Sequence, residues 1–203
     1  MPKENFLGSN DDKLNSLLLF TAEIDKMTAI ARRTLLVDGS RRENDAEHSW
    51  HIAVMALYFK DYAIEQPNIE RVVKMLVVHD LVEIYAGDTF AYDEKGNEDK
   101  AQREKAAADK LYSILPKEYG DELRALWEEF DAMETVDAKY GACMDRIQPF
   151  LHNTLTEGHT WKDATLSQVK DRMAIVKEFM PKVYEWMELN MQRGVEQNWL
   201  ADK

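Results

Sequence analysis

The sequence predicts an all-α protein, a helical bundle, and three observations carry that expectation. Apolar residues recur at helical spacing through most of the 203 residues. No stretch sustains an alternation of period two, so no strand is expected. Pro67, Pro116 and Gly120 punctuate the periodic segments, as helix-breaking residues do between the members of a bundle. A chain of this length with 45% hydrophobic residues buries a continuous core without disulfides. It reads as one domain over 1–203, with a core at about 15–155 and a C-terminal helical extension at about 165–192.

Residues 1–11 read as a loose terminus. A first amphipathic helix is expected from about Asp12 to Arg33, with Leu14, Leu17, Leu18, Ile24, Met27 and Ile30 on its apolar side. It ends in Arg32-Arg33, and Arg41-Arg42 follow the turn signal Asp38-Gly39. Four arginines in this short stretch make a basic island. Taken alone, they complement a helix dipole or solvate a loop; beside a metal, they would clamp a phosphate. A second helix is expected from Asp45, read as its N-cap, to near Ala63. His48 and His51 share a face of it, and spacing does not choose between them as ligands.

The stretch Val72–Asp93 organises the rest. Val72, Val73, Leu76, Val77, Val78, Leu81, Val82 and Ile84 cover nearly every side of one expected helix, which should therefore be buried. His79, Asp80 and Glu83 lie within it, and buried ionisable groups are costly unless paired or bound to a metal. At about 100° per residue their head groups should converge. Gly87 offers a C-terminal cap, and Asp88 follows it.

Tyr92–Asp99 reads as an exposed loop able to fold over a site. Helices are expected at about 99–115, 120–131 and 135–153, with Asp145 in partly apolar surroundings on the last. A Met- and aromatic-rich stretch from Leu166 to Gly194, kinked or divided at Pro181, should form core or subunit interface.

The formal net charge of −12 argues against tracking a nucleic-acid polymer, whereas a local cation can still hold a small anion. The single Cys143 reads as a small buried hydrophobe, and a reducing cytoplasm is the expected compartment. No apolar run approaches the roughly 18 residues of a membrane span, so a soluble protein is expected.

His48, the pair His79-Asp80, and Asp145 fall on three separate expected helices, the usual way a bundle assembles a metal site in its core. Imidazoles with carboxylates suit Mn, Co, Fe or Zn and exclude cysteine-rich structural zinc.

The order His, then His-Asp, then Asp resembles the HD-domain metal-dependent phosphohydrolase superfamily. The segments EHSW at Glu47–Trp50, HDLVEIYAGD at His79–Asp88 and DRIQPFL at Asp145–Leu151 look like the branch containing bacterial 5′-deoxynucleotidases and their eukaryotic HD-domain relatives. The likeness spans roughly residues 15–190 and implies an HD-domain bundle with one divalent ion, Mn, Co, Fe, Zn or Mg. It implies His48, His79, Asp80 and Asp145 as metal ligands, Glu83 acting on the attacking water, and Asp88 placing substrate or assisting catalysis. Arg33, fifteen residues before His48, takes the family's phosphate-contacting position, with Arg41 and Arg42 as second candidates. The implied activity is hydrolysis of the 5′-phosphate of a nucleoside or deoxynucleoside monophosphate, and the relatives' dimers make a homodimer compatible with the apolar C-terminal stripe. Thr34 stands where those relatives carry a tryptophan that helps choose deoxyribose, so sugar preference does not carry over. No histidine lies between His79 and His152, which favours one metal and hydrolysis over oxygenation. His152 and His159, after Asp145, are expected to be structural or exposed. Two other readings stay open: hydrolysis of another phosphate ester, such as a nucleoside triphosphate or signalling nucleotide, and nucleotide binding without turnover.

Overall fold

The computed structural model describes residue 8 and residues 10–202; the expected loose terminus lies largely outside them. The described chain is predominantly helical, as expected, with one small antiparallel hairpin that the period-two test does not register. Helix α1 spans Asp12–Ile24, capped by the Asp11 carboxylate, which accepts from the Leu14 amide at 3.0 Å. It stops well short of Arg33. A 3₁₀ segment, Asp25–Ala29, follows, and then strand β1, Ala31–Leu35, pairs with β2, Arg42–Asn44. The turn signal Asp38-Gly39 closes this hairpin, Gly39 supplying a φ of +70°. The basic island thus lies on a ribbon rather than at a helix end. Strands this short cannot show a sustained alternation, which is why sequence pattern misses them.

Helix α2 runs Asp45–Ala56, and its N-cap is Asn44, not Asp45. The Asn44 side chain accepts from the Glu47 amide at 2.9 Å while Glu47 accepts from the Asn44 amide at 3.0 Å, a reciprocal capping box. The helix ends before Ala63, giving way to a 3₁₀ turn at Phe59–Tyr62.

Helix α3, Ile69–Val78, stops at the threshold of the central motif, and α4, Glu83–Ala86, starts beyond it. The expected continuous helix is therefore broken. Bonds from the Leu81 amide to the Val78 carbonyl and from the Glu83 amide to the Asp80 carbonyl tighten residues 79–82 into turns. Val72 and Leu76 enter one apolar cluster, with α2, α8 and the C-terminal helices, while Met75 and Val78 enter a second, with α1, α4, α6 and α7. Being held between two cores explains why α3 is so apolar, although Val77 reaches solvent.

Beyond α4, Gly87 adopts φ +78°, and Tyr92–Asp99 carries a helical turn, α5, Glu94–Asn97. Helices α6 (Lys100–Tyr112), α7 (Lys117–Ala132) and α8 (Val136–Leu155) follow near their expected positions. The last stretch divides into three pieces, α9 (Leu166–Arg172), α10 (Ala174–Phe179) and α11 (Pro181–Glu196). Pro181 starts α11, where a missing amide proton costs no helical bond. Met173, Val176, Phe179, Met180 and Met187 join the first cluster, which also holds residues of α2 and α8. No helix among the described residues is long and apolar enough to cross a membrane.

Candidate metal centre and substrate cleft

Three elements meet at the seam between the two cores: the first turn of α2, the turn after α3, and the middle of α8. They bring together the four residues that the family resemblance nominates as ligands. His48 Nε2 lies 3.1 Å from Asp145 Oδ1 and 4.0 Å from Asp80 Oδ2. His79 Nε2 lies 3.0 Å from Asp80 Oδ2 and 3.8 Å from Asp145 Oδ1. His51, the alternative on α2, faces away from these four and contacts Gln148.

The protonation pattern is set from behind. His48 Nδ1 is 3.0 Å from the Gln148 Oε1 acceptor, and His79 Nδ1 is 2.8 Å from the Leu76 carbonyl. Each Nδ1 must donate, so each Nε2 presents a lone pair to the carboxylates. His79 Nε2 is buried without a hydrogen-bond partner. Two lone pairs and two anionic groups aimed at one point repel unless a proton or a cation lies between them, and this donor set fits a divalent ion. The electrostatics agree. Burial, aided by the Arg32 charge, pushes His48 down to about 4, keeping it neutral. For His79, burial opposes protonation, but Asp80 and Asp145 outweigh it and raise the imidazole. Asp80 and Asp145 stay below the usual carboxylate range despite burial, held by His79 and Arg32 in one case and by the two histidines in the other.

Glu83 does not join His79 as a continuous helix would require. The turn at 79–82 leaves it in a second group with Asp45 and Asp88, one carboxylate oxygen from each lying within 4.8 Å of the others. Oxygens of Asp45 and Glu83 are buried there without partners. Burial and then the neighbouring Asp80 raise Asp45 to about 7, and the same causes, with Asp45 and Asp88, lift Glu83 well above its ordinary value. Asp88 is raised too, chiefly by burial.

Arg32 stands between the two acidic groups. Its Nη1 is 2.9 Å from Asp80 Oδ2 and 3.4 Å from Asp45 Oδ1, and its Nε is 3.6 Å from Glu43 Oε1. Arg33, on the other face of β1, is half exposed, lies over the Phe90 ring at 4.4 Å and reaches Asp163 at 3.3 Å. Arg32, Arg33, Thr34 and Asp88 line a narrow cleft of about 80 Å³. This cleft shares Tyr92, Arg146 and Arg172 with an open cavity of about 590 Å³ walled also by Asn97 and Gln168. Arg41 does not reach the cleft; its guanidinium forks onto Glu47, 2.8 Å from Oε2 and 2.5 Å from Oε1. Arg42 is exposed and lines neither cavity.

Sequence reasoning missed Asp45, Glu43, Gln148, Arg146 and Arg172, and it read Arg32 only as part of the basic island, whereas here it pairs with carboxylates. Gln148 had a signal, being three residues from Asp145 on the same helix face. Asp45 was visible only as a cap. Arg172, at the end of α9, reaches to within 3.9 Å of Asp145 on α8, a contact across elements that no local pattern reports.

A helical bundle that holds two buried imidazoles against two half-buried carboxylates between its cores is a metallohydrolase scaffold. The chain belongs to the HD domain family, whose model matches residues 24–184, as the motif resemblance led us to expect. It is similar to the human 5′-deoxynucleotidase HDDC2, at 29% identity over 78% of this chain and 77% of that one. A solved structure from Magnetospirillum magnetotacticum, described as a predicted metal-dependent phosphohydrolase, superposes with a TM-score of 0.89 at 43% identity, covering 96% of this chain and 99% of that one. An HD-domain phosphohydrolase from Listeria innocua shares the fold, with a TM-score of 0.59 at 16% identity over 89% of this chain and 86% of that one.

Proposed function

We propose that this protein hydrolyses the 5′-phosphate monoester of nucleoside monophosphates, deoxynucleosides included, with one divalent metal ion held by His48, His79, Asp80 and Asp145. The observation that carries the reading is the convergence of two imidazole lone pairs and two carboxylates beside an arginine-lined cleft. A divalent cation there supplies Lewis acidity that activates water and polarises the phosphoryl oxygen. Glu83, kept basic by burial among Asp45, Asp80 and Asp88, takes the proton of the attacking water. Asp88, at the cleft wall, positions the substrate or returns a proton to the leaving oxygen, and Arg33 binds the phosphate. Arg41, committed to Glu47, and Arg42, exposed on β2, have no contact with substrate in this reading.

The wider cavity beyond Arg146 and Arg172 favours a second reading, in which a longer phosphate ester such as a nucleoside triphosphate occupies both spaces. The buried Cys143, free of any disulfide, supports a reducing, cytoplasmic setting. The exposed apolar side chains Trp50, Leu57, Tyr58 and Val77 around α2 support a homodimer.

The test is phosphate release from ribo- and deoxyribonucleoside monophosphates after chelation and readdition of Mn, Co, Mg or Zn, with metal stoichiometry measured alongside. Release that depends on metal and falls about 10²–10⁴-fold in Glu83→Gln supports the proposal. Pyrophosphate or triphosphate from larger nucleotides, with monophosphates untouched, replaces it with the second reading. Two bound ions instead of one would assign the Asp45, Glu83 and Asp88 group to a second cation.

A further inference from the structure

Behind the four ligands lies a buried polar chain that the proposed chemistry does not use. Gln148 is fully buried on α8, and its side chain has only one workable orientation. Its Oε1 accepts from His48 Nδ1 at 3.0 Å, and its Nε2 donates to Glu43 Oε2 at 2.7 Å. The same Nε2 lies 3.1 Å from His152 Nε2. His152 Nδ1, at 2.8 Å from the Leu35 carbonyl, must carry the ring proton, so its Nε2 is an acceptor. Flipping the amide would set acceptor against acceptor at both Glu43 and His152, and would hand His48 Nδ1 a donor, moving its ring proton to Nε2. Glu43 and the Leu35 carbonyl therefore dictate the amide, and the amide dictates which nitrogen of His48 is free.

Glu43 acts in a second direction. Its other oxygen, Oε1, is buried without a hydrogen-bond partner and faces Arg32 Nε at 3.6 Å, itself unpartnered, while Arg32 Nη1 holds Asp80. The chain His48, Gln148, Glu43, Arg32, Asp80 is thus nearly a ring, with His48 and Asp80 4.0 Å apart at its open side.

We propose that Glu43 is a positioning residue for two metal ligands at once, orienting His48 through Gln148 and Asp80 through Arg32. It touches neither metal nor substrate. Outer partners of this kind are usually worth about 10–100-fold in metal affinity. The proposal rests on the metal-site reading above, and the experiment separates the two.

Cobalt(II) affinity is measured by competition with a chelator, and the visible spectrum of the bound ion is recorded, for the wild type and for Gln148→Met, Glu43→Gln and Glu43→Leu. Circular dichroism and urea unfolding of each metal-free protein report the fold. Gln148→Met conserves volume but offers His48 only a weak sulfur acceptor and Glu43 no donor; it should bind cobalt about 10–100-fold more weakly with a shifted spectrum, and its metal-free form should keep a native circular dichroism spectrum while unfolding at lower urea, because His48 Nδ1 and Glu43 Oε2 lose their partner. Glu43→Gln keeps an acceptor for Gln148 and should fall between wild type and Glu43→Leu. If Gln148→Met fails to fold, Glu43→Gln decides by the same readouts. Wild-type binding with variants within about twofold and unshifted spectra overturns the positioning role alone. No cobalt binding by the wild type overturns the metal reading and this inference with it.

Discussion

Arg32 is the only arginine in the described residues set among Glu43 and Asp45, both buried, and the half-buried Asp80, and replacing it tests whether the site's charges are mutually supporting. Its side chain is 14% exposed, and those of Glu43, Asp45 and Asp80 are 1%, 0% and 13% exposed. Burial alone would weaken its protonation, yet Asp80, Asp145 and Glu83 hold the guanidinium firmly charged. Removing one partner from a buried ion pair typically costs about 3–5 kcal/mol, because the remaining charge is left desolvated and unpaired. Arg32→Met conserves most of the packing volume, so its loss of stability in the metal-free protein should come from charge and reach about 3–5 kcal/mol. Arg32→Lys keeps the charge but not the fork and should lose roughly half as much. For a chain of this size the Met variant then melts roughly 6–20 °C lower. Urea unfolding at neutral pH reads the difference, with an unchanged denaturant slope showing that the same surface is exposed. A loss below about 1 kcal/mol, the range of a solvent-exposed pair, would refute the claim that these acids depend on Arg32.

Gly158 has φ +66°, and an added Cβ would lie 2.6 Å from Trp199 Cβ, so Gly158→Ala should cost about 2–5 kcal/mol of strain and overpacking in urea unfolding. Gly87→Ala meets nothing within 4 Å and should cost only the backbone strain of its φ +78°, about 1–3 kcal/mol. Burial pushes the Cys143 thiol up to about 12, so Ellman's reagent at mildly alkaline pH should leave the native protein untouched and titrate one thiol after unfolding. The Arg41 hydrogen bond holds the Glu47 carboxyl at about 2, against an ordinary value of 4.5. A depressed carboxyl binds fewer protons in the folded state, so its stabilisation is full above 4.5 and is lost as pH falls toward 2. Acid unfolding curves of Arg41→Ala and Glu47→Gln should lack that component, whereas an unchanged curve would separate the pair from helix capping.

The sequence by itself determined the helical class and the family, and it nominated the residues proposed here as metal ligands, because helical periodicity is local and because His48, His79-Asp80 and Asp145 sit in motif segments. It also marked Gly87 and Pro181 correctly as boundaries, since their backbone limits hold in any context. What tertiary structure decided was direction. The run from Val72 to Ile84 looks helical throughout, yet the chain turns at His79, which sends Glu83 toward Asp45 and Asp88 instead of His79. Arg32 and Arg33 are adjacent letters, but the strand alternation of β1 buries one among carboxylates and leaves the other half exposed at the cleft. Glu43 and Gln148 are 105 residues apart and meet only when the β1–β2 hairpin packs on α8. Periodicity records which side of an element is apolar; which polar groups meet across elements is settled by packing, and the partners that orient this site are of that second kind.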